Sequence, residues 1–224
     1  MTRARNTGLT LIEVIVAVAI VGIMAGVTTV GFTRWQQNQT LTTTTRSVAD
    51  ALSLARMEAI RTGSIHIVYL ATGAATDVGG NPLQDSNGRP VPLLILNDGQ
   101  IGSPQQNCII DAGEPTATPL PMVQGLAWGF TASGGAKAPF DNTAPGNATG
   151  SSFATPAGNP HNGIAFGADG VPIAFDLACN LGMFGSGNGG VYLTNGTRDY
   201  AVVLHPLGGV RTHGWEPSVG GWKM

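Results

Sequence analysis

The chain has 224 residues, enough for one soluble domain of ordinary size together with a membrane helix. Charged residues make up 11% of it and the formal net charge is -2, so the sequence lacks the overall basic character of a nucleic-acid-binding domain. The 33 glycines and 14 prolines favour short strands joined by many turns.

An apolar stretch near the N-terminus, residues 9–32, is long enough to cross a bilayer as a helix. Gly8 stands before this stretch and no A-x-A cleavage site follows it, so a cut at Gly8 would leave the helix on the mature protein. The alternative is an uncleaved signal anchor. In that case the carboxylate of Glu13 would carry an unexplained insertion cost of roughly 2.5–3.5 kcal/mol. The position of Glu13 therefore predicts a function for it.

A resemblance to a known family lies at the start of this stretch, which reads Gly8-Leu9-Thr10-Leu11-Ile12-Glu13-Val14. The run resembles the prepilin processing signature of type IV pilins and type II secretion pseudopilins. The resemblance implies that a prepilin peptidase cuts between Gly8 and Leu9 and methylates the new N-terminus, so that residues 1–8 are a cleaved leader. The family usually has Phe in place of Leu9. The resemblance also implies that Glu13 guides assembly.

Pairing between subunits gives a physical reason for that role of Glu13. Cleavage would create an α-ammonium group on Leu9, with which Glu13 of a neighbouring subunit could pair. Two charges that are each costly in lipid become less so together, which favours assembly over the lone subunit. Cleavage would also remove Arg3 and Arg5, which leaves nine basic against 13 acidic residues, a net charge of -4.

Charges and glycines around the apolar stretch add two expectations. Arg3 and Arg5 before it, against Arg34 after it, favour a cytoplasmic N-terminus. With the family resemblance, this orientation implies a single pass through the bacterial inner membrane and a C-terminal domain in the periplasm. Gly22 and Gly26 have GxxxG spacing, which indicates either close helix packing in a filament or ordinary glycines of a membrane helix.

Helical periodicity continues beyond the membrane segment, through residues 33–63. Apolar residues recur there at helical spacing, and Gly63 is a plausible stop. We therefore expect one long helix that begins in the membrane and ends on the soluble domain, with an apolar stripe facing a sheet. The periodic apolar positions are Leu41, Val48, Leu52, Ala55 and Ala59.

After Gly63 the pattern changes to short strands bounded by Gly, Pro and Asn, so residues 64–224 are predicted to form a β-rich periplasmic domain. Two segments, 71–90 and 131–162, are rich in Gly, Pro, Ala and Asn and are predicted as loop insertions. The second is long for a compact domain, which indicates a mobile insertion or a contact surface. The predicted strands are Ser64–Leu70, Val91–Leu96, Leu126–Phe130, Gly163–Phe166, Pro172–Asp176, Val191–Thr194, Tyr200–His205 and Gly209–Thr212.

Three further segments resemble the GspH/FimT pseudopilin subgroup. Residues 52–61 read LSLARMEAIR and resemble its LxxARxEAxxR helix stretch. Residues 163–170 resemble its aromatic strand followed by a turn ending in glycine, and residues 200–211 resemble its terminal hairpin. With the processing signature, the resemblance implies an α+β, pilin-like fold, in which the long N-terminal helix packs on antiparallel β-sheet.

The two cysteines, Cys108 and Cys179, form no CxxC pair, so a zinc site would need other ligands. In an oxidising compartment, one disulfide between them is the simplest interpretation. Two unpaired buried thiols are the alternative.

We find no catalytic or cofactor-binding pattern in the sequence. Residues 185–190 match GxGxxG but open a predicted strand, so they lack the helix N-terminus that binds phosphate. Residues 85–88 lack the terminal glutamate of an EF-type calcium loop, and a turn is the better interpretation. The four histidines are scattered without an HExxH motif. We therefore expect no metal, no cofactor and no enzymatic activity; a periplasmic enzyme on a signal anchor is the disfavoured alternative.

The expected function is that of a minor pilin or pseudopilin, a structural subunit of a type II secretion pseudopilus or a type IV pilus. The expected partners are a prepilin peptidase, other pilin or pseudopilin subunits, the inner-membrane assembly platform and, before assembly, membrane lipid. The alternative is a DNA-binding competence pilin of the FimT type.

DNA-binding members of that group carry a C-terminal Gly-Arg-x-Arg motif, and the matching positions here are Gly208-Gly209-Val210-Arg211. Arg211 is present, but Gly209 stands where the first arginine should be, so one phosphate contact is lost. We expect at most a weak DNA contact at Arg211 and do not expect DNA as a partner. The opposing hypothesis is that Arg211 shares one face of the fold with Arg46, Arg56, Arg61 and Arg89.

Overall fold

A computed structural model describes residues 10–70, 76–85, 87–118, 120, 127–146 and 150–224. The chain divides into two compact units, Met1–Gln39 and Thr40–Met224. One long helix runs through both units, and every strand that the structure describes belongs to the second.

The helix α1 spans Leu11–Thr62. It ends where the sequence predicts, at Gly63, whose N–H donates to the carbonyl of Ala59 at 3.0 Å. The backbone of Gly63 has a φ of 66°, a left-handed conformation that glycine adopts after a helix without a steric cost. The prediction of one long helix is therefore confirmed.

The part of the chain that the structure describes forms eleven strands in two antiparallel sheets. In chain order the strands are β1 (His66–Leu70), β2 (Leu93–Asn97), β3 (Thr116–Ala117), β4 (Ala127–Trp128), β5 (Gly163–Phe166), β6 (Pro172–Phe175), β7 (Leu181–Phe184), β8 (Gly189–Thr194), β9 (Asp199–Leu204), β10 (Val210–Glu216) and β11 (Gly221–Lys223). The first sheet has the order β3-β2-β1-β5-β6-β7. The second sheet has the order β11-β10-β9-β8-β4.

The part of α1 in the second unit packs against both sheets. Its buried residues Val48 and Leu52 share one apolar cluster with Val68 of β1, Phe166 of β5 and Val202 of β9. The opposite face of each sheet carries a cluster of its own. The expected architecture, a long N-terminal helix packed on antiparallel β-sheet in an α+β, pilin-like fold, is confirmed.

The eight predicted strands all correspond to strands of the structure, although most boundaries shift. The bounds of β5 are those predicted, whereas β10 extends beyond the predicted end at Thr212 to Glu216. The strands β3, β7 and β11 are not predicted from the sequence. All three lie at sheet edges, where a strand is paired on one side and needs no strong apolar alternation.

The loop insertion 131–162 is tied to the second sheet at two places in its described part. The choice between a mobile insertion and a contact surface stays a prediction. One anchor is the carboxylate of Asp199 in β9, which is fully buried. It accepts hydrogen bonds from the backbone N–H groups of Thr131 at 2.9 Å and Ser133 at 2.7 Å. These bonds fix the start of the loop to the second sheet.

A second anchor is the carboxylate of Asp141, which belongs to the loop itself and is 4% exposed. It accepts the hydroxyl of Ser152 at 2.7 Å and the hydroxyl of Tyr192, in β8, at 2.6 Å. The hydroxyl oxygen of Ser152 in turn accepts the N–H of Gly190 at 2.7 Å. Because these buried polar groups satisfy one another, the loop is held as part of the folded unit.

The other predicted insertion, residues 71–90, lies partly outside the described residues. Its described part contains isolated β-bridges, such as the one between Gln84 and Pro90. The carbonyl of Asp85 accepts the N–H of Gly88 at 2.9 Å, which is the turn that the sequence favours over a calcium loop.

Candidate processing and assembly site

Thr10 and Glu13 form a capping box at the start of α1. The Glu13 carboxylate accepts hydrogen bonds from the Thr10 backbone N–H at 3.3 Å and from its hydroxyl at 3.1 Å. The Glu13 N–H donates in return to the Thr10 hydroxyl oxygen at 3.4 Å. The Glu13 N–H also donates to the Thr10 carbonyl at 3.1 Å, and the reciprocal pattern gives the otherwise unpaired Thr10 N–H an acceptor. Glu13 therefore stabilises the helix start within its own subunit.

The predicted cleavage site, Gly8 and Leu9, lies outside the described residues. The side chains from Leu11 to Gly26 are exposed, and Leu11 itself is 81% exposed. By length and composition, α1 can cross a membrane. An apolar helix surface that its own chain does not cover is suited to a bilayer or to other helices.

Gly22 and Gly26 lie in this exposed part of α1. A Cβ atom added at either glycine would meet nothing within 4 Å. The two interpretations of their GxxxG spacing, close packing with another helix and ordinary membrane-helix glycines, both stay predictions.

A second arrangement of functional interest surrounds Arg56 of α1, and we call it the Arg56 junction. Arg56 Nη1 donates to the carbonyl of Gly208, in the β9–β10 turn, at 3.1 Å. A Cβ added at Gly208 would lie 2.6 Å from the carbonyl oxygen of Gly170 and 2.9 Å from Arg56 Nε. One added at Gly170 would lie 2.6 Å from Ile60 Cδ1. The turns at Gly208 and Gly170 therefore approach α1 more closely than a residue with a Cβ atom would allow.

The Arg56 junction brings together the three segments that carry the resemblance to a pseudopilin subgroup. Arg56 and Ile60 belong to the helix stretch, Gly170 ends the turn after β5, and Gly208 lies in the C-terminal hairpin. Arg56 Nε is buried and has no hydrogen-bond partner among the described residues. The guanidinium thus depends on the Gly208 carbonyl for the polar contact at this site.

The structure joins Cys108 and Cys179 in a disulfide. Cys108 follows β2 and Cys179 lies between β6 and β7, so the bond ties two loops of the first sheet. Asp98 lies beside it, and these three residues are the cluster of candidate metal-ligand groups in the described part of the chain. Because the two sulfurs are bonded to each other, they cannot bind a metal as thiolates.

Asp98 itself is fully buried. Its carboxylate accepts the backbone N–H of Cys108 at 2.9 Å and of Asn107 at 3.3 Å. Burial raises the pKa of Asp98 to about 6, and the carboxylates of Glu114 and Asp111 act in the same direction. The buried charge therefore opposes folding near neutral pH.

The remaining candidate patterns do not converge on a shared site in the described residues. Three of the four histidines are buried, and burial lowers the pKa of His66, His161 and His213. The ring of His161 accepts the N–H of Gly163 at 3.0 Å, as a local structural contact. The GxGxxG run leads into β8 at Gly189, a strand rather than a helix.

Arg211 lies in β10 with an exposed side chain. Its guanidinium carbon is 5.2 Å from the centre of the Phe140 ring. Across the sheet Arg211 pairs with Val203, which belongs to the apolar cluster on the face away from α1. Arg56 is on the side of α1, so the hypothesis of a single basic face that joins it to Arg211 is wrong.

Two of the other cations of that hypothesis, Arg61 and Arg89, are held in ion pairs. Arg61 pairs with Glu58 at 2.6 Å and Arg89 pairs with Asp85 at 3.6 Å, so both charges have acidic partners. Gly209 stands where the family motif has its other arginine. A Cβ added at Gly209 would meet the Cβ of His205 at 3.8 Å, an ordinary contact.

Residues 3–29 match a known family, whose description is the prokaryotic N-terminal methylation motif. The matched residues include Gly8, Leu9 and Glu13. No curated protein and no solved structure gives a significant match to the chain. The resemblance of residues 52–61 and of the C-terminal segments to the GspH/FimT subgroup stays a prediction.

Sequence reasoning missed two features of this site. The capping box has a sequence signal, since a Thr followed three residues later by Glu before an apolar run is a helix-start signature. The buried carboxylate of Asp98 has no such signal, because its burial depends on the distant disulfide and on Tyr69, whose hydroxyl donates to the Cys108 carbonyl at 2.6 Å.

Proposed function

We propose that this type IV pilin-like protein is a minor pilin or pseudopilin, a structural rather than enzymatic subunit that assembles through its N-terminal helix. The observation that carries the proposal is the methylation motif in residues 3–29, which includes the exposed apolar start of α1. The motif implies processing by a prepilin peptidase and assembly with other pilins. Together with the long apolar helix, it indicates a membrane-anchored protein.

The proposed sequence of events begins with insertion of the apolar helix into the inner membrane. A prepilin peptidase hydrolyses the bond between Gly8 and Leu9, and the new amine then takes a methyl group from a methyl-donor cosubstrate and loses a proton. The charged amine of Leu9 then pairs with Glu13 of a neighbouring subunit, which offsets the cost of each charge in lipid. The assembly platform would move the helix from lipid into the filament, with the second unit in the periplasm.

Co-expression with a prepilin peptidase tests the proposal. We expect mass spectrometry to show loss of residues 1–8 and a methyl group on Leu9. Gly8→Val should block the cut, because a β-branched side chain would crowd the scissile bond. Gly22→Val is the matched control, since it makes the same change where a Cβ meets nothing within 4 Å. A wild-type chain that stays uncut, while a control prepilin is cut, contradicts the proposal.

A further inference from the structure

A cleft of about 440 Å³ lies between the second-unit part of α1 and the C-terminal strands of the second sheet. We call it the basic cleft, because three cationic side chains line it: Arg46 of α1, Arg198 before β9 and Lys223 of β11. One acidic side chain, Glu216, lines it as well. The cleft is therefore positive in a chain whose net charge is -2.

The cations of the basic cleft are only partly neutralised. Lys223 Nζ lies 3.6 Å from Glu216 Oε2. A hydrogen bond from Ser218, and then the charge of Lys223, lower the pKa of Glu216. Arg46 and Arg198 are exposed and form no ion pair within the described residues. Two guanidinium groups are thus available to an anionic partner.

A group of opposite charge lies in residues 111–114, which we call the acidic loop. Glu114 Oε2 accepts the backbone N–H of Asp111 at 3.1 Å. Glu114 Oε1 is buried and has no hydrogen-bond partner among the described residues. Burial is the main cause that raises the pKa of Glu114, and the charge of Asp111 adds to it. A cation from outside the molecule would stabilise both carboxylates.

Backbone hydrogen bonds fix the acidic loop near the end of α1. The carbonyl of Pro115 accepts the N–H of Asn97 at 3.0 Å, and the next residue, Asp98, donates its N–H to Ile65 at 2.9 Å. Ile65 follows the helix end closely, whereas Arg46 lies 16 residues before it. At 1.5 Å per residue that separation is about 24 Å along the helix. The acidic loop therefore cannot fill the basic cleft of its own molecule.

We propose that the acidic loop of one copy of the chain docks in the basic cleft of a second copy. Arg46 and Arg198 supply the forked donors that suit carboxylates, the exposed Asp111 supplies the carboxylate that they contact, and the charge of the half-buried Glu114 adds to the attraction. The loop and the cleft are different surfaces of the second unit, so the contact is heterologous and joins copies head to tail. The inference rests on the proposed function and deepens it by naming a contact between second units.

A nucleic acid matches the basic cleft less well than a short acidic loop. Glu216 lies within the cleft, and Asp50 follows Arg46 one turn later on α1 with an exposed side chain. A continuous row of phosphates would therefore meet carboxylates as well as cations. Arg211, the cation of the DNA hypothesis, lies on the face of the second sheet away from α1.

Charge reversal in the full chain, purified in detergent, tests the contact by sedimentation velocity at about 0.05 M and about 0.5 M salt. The cleft variant combines Arg46→Glu with Arg198→Glu, and the loop variant combines Asp111→Lys with Glu114→Lys. At low salt we expect wild type to form dimers and longer species. Each variant alone should associate at least about tenfold more weakly, because its loop and cleft carry like charges. Mixing the two variants should restore association, since every loop then meets a cleft of opposite charge.

A matched control combines Arg89→Glu with Lys137→Glu. Both residues are exposed cations outside the basic cleft, so the change in net charge is the same and association should stay at the wild-type level. If circular dichroism shows that the loop variant is misfolded, Asp111→Lys alone replaces it, because Asp111 is exposed.

A wild-type chain that stays monomeric at low salt, or a mixture that associates no better than its components, overturns the proposal. Binding of a short DNA duplex by wild type, lost in the cleft variant, would assign the cleft to nucleic acid instead. Cleavage by the prepilin peptidase is measured separately on the same samples. Failure of the contact is therefore distinguishable from failure of the proposed function.

Discussion

The Glu13 carboxylate accepts both the backbone N–H and the hydroxyl of Thr10, at 3.3 Å and 3.1 Å. The residue expected to pair with a neighbouring subunit is thus also a cap of its own helix. The two roles differ in what they require of the side chain. Capping requires an acceptor oxygen, whereas pairing with an α-ammonium group requires a negative charge.

Two substitutions at Glu13 separate these roles. Glu13→Gln keeps an acceptor oxygen but loses the charge, and Glu13→Val loses both. We expect both variants to insert into the membrane as well as wild type or better, because a charge in lipid has been removed. Both should co-purify poorly with partner subunits, since the pair with the Leu9 amine is lost. Co-purification after cross-linking in membranes measures this.

Thr10→Val is the control for the cap. It removes the hydroxyl and leaves the Glu13 charge, at a cost to the helix start on the order of 1 kcal/mol. We expect it to co-purify nearly as well as wild type. Assembly that survives Glu13→Gln but fails in Thr10→Val would mean that the cap, and not the charge, is what assembly needs.

The buried carboxylate of Asp98 predicts a dependence of stability on pH. The pKa of Asp98 in the folded chain is about 6, above that of an unfolded aspartate. The stability that the protonated carboxyl contributes to the fold is therefore present at acidic pH and is lost as pH rises through about 6. Asp98→Asn keeps an acceptor for the Cys108 N–H and cannot ionise. We expect this variant to gain, relative to wild type, on the order of 1 kcal/mol between pH 4.5 and pH 7.5.

The measurement is chemical unfolding of both proteins across that range of pH. The buried histidines have lowered pKa values and act in the opposite direction, since their stabilising effect is lost as pH falls. The difference between wild type and Asp98→Asn removes their contribution. A difference that does not change with pH would show that Asp98 stays ionised throughout.

Two adjacent glycines provide a matched test of the Arg56 junction. Gly208→Ala would place a Cβ 2.6 Å from the Gly170 carbonyl oxygen at a φ of 80°, so we expect a loss of about 2 kcal/mol or more in the free energy of unfolding. Gly209→Ala would bring its Cβ no closer than 3.8 Å to His205. We expect that change to stay within about 0.5 kcal/mol. Equal losses in chemical unfolding would contradict the close approach.

The prediction of weak DNA binding can be tested at the β9–β10 hairpin. Arg211 is the arginine of the Gly-Arg-x-Arg pattern that this chain retains, and it lies over the Phe140 ring. We expect no gel shift of a short duplex at near-physiological salt, because one arginine neutralises too few phosphates. Gly209→Arg should gain a shift, since the site has room for a side chain. Saturable wild-type binding that Arg211→Ala removes would support a role in DNA uptake.

The helix and the central strands could be predicted because each depends on a local pattern. The periodic positions of α1, such as Leu41 and Val48, are buried as expected, and the apolar run of β5 has the predicted bounds. The edge strand β7 escaped prediction because Gly182 interrupts its apolar run and Met183 and Phe184 are exposed. Pairing with β6, rather than burial, makes it a strand.

Long-range polar contacts tie the described part of the loop 131–162 to the second sheet in a way that its composition does not predict. Its composition indicates mobility, yet Asp199 binds its N–H groups at Thr131 and Ser133 from a position far along the chain. Asp199 stands between a turn and a strand, and a carboxylate in that position is expected from the sequence to be exposed. The basic cleft was equally hidden, since Arg46 and Lys223 come from opposite ends of the second unit.

The Arg56 junction has a consequence for the order in which the protein matures. In a chain whose C-terminal part is translocated while the N-terminal helix stays in the membrane, the second-unit part of α1 would reach the periplasm before the C-terminal hairpin is available. Arg56 gains the Gly208 carbonyl only when that hairpin has formed, and Gly170 closes against Ile60 at the same place. The contacts of Arg56 and Ile60 with the two glycine turns would then be among the last to form. A chain truncated before β9 would keep its helix and lack these contacts.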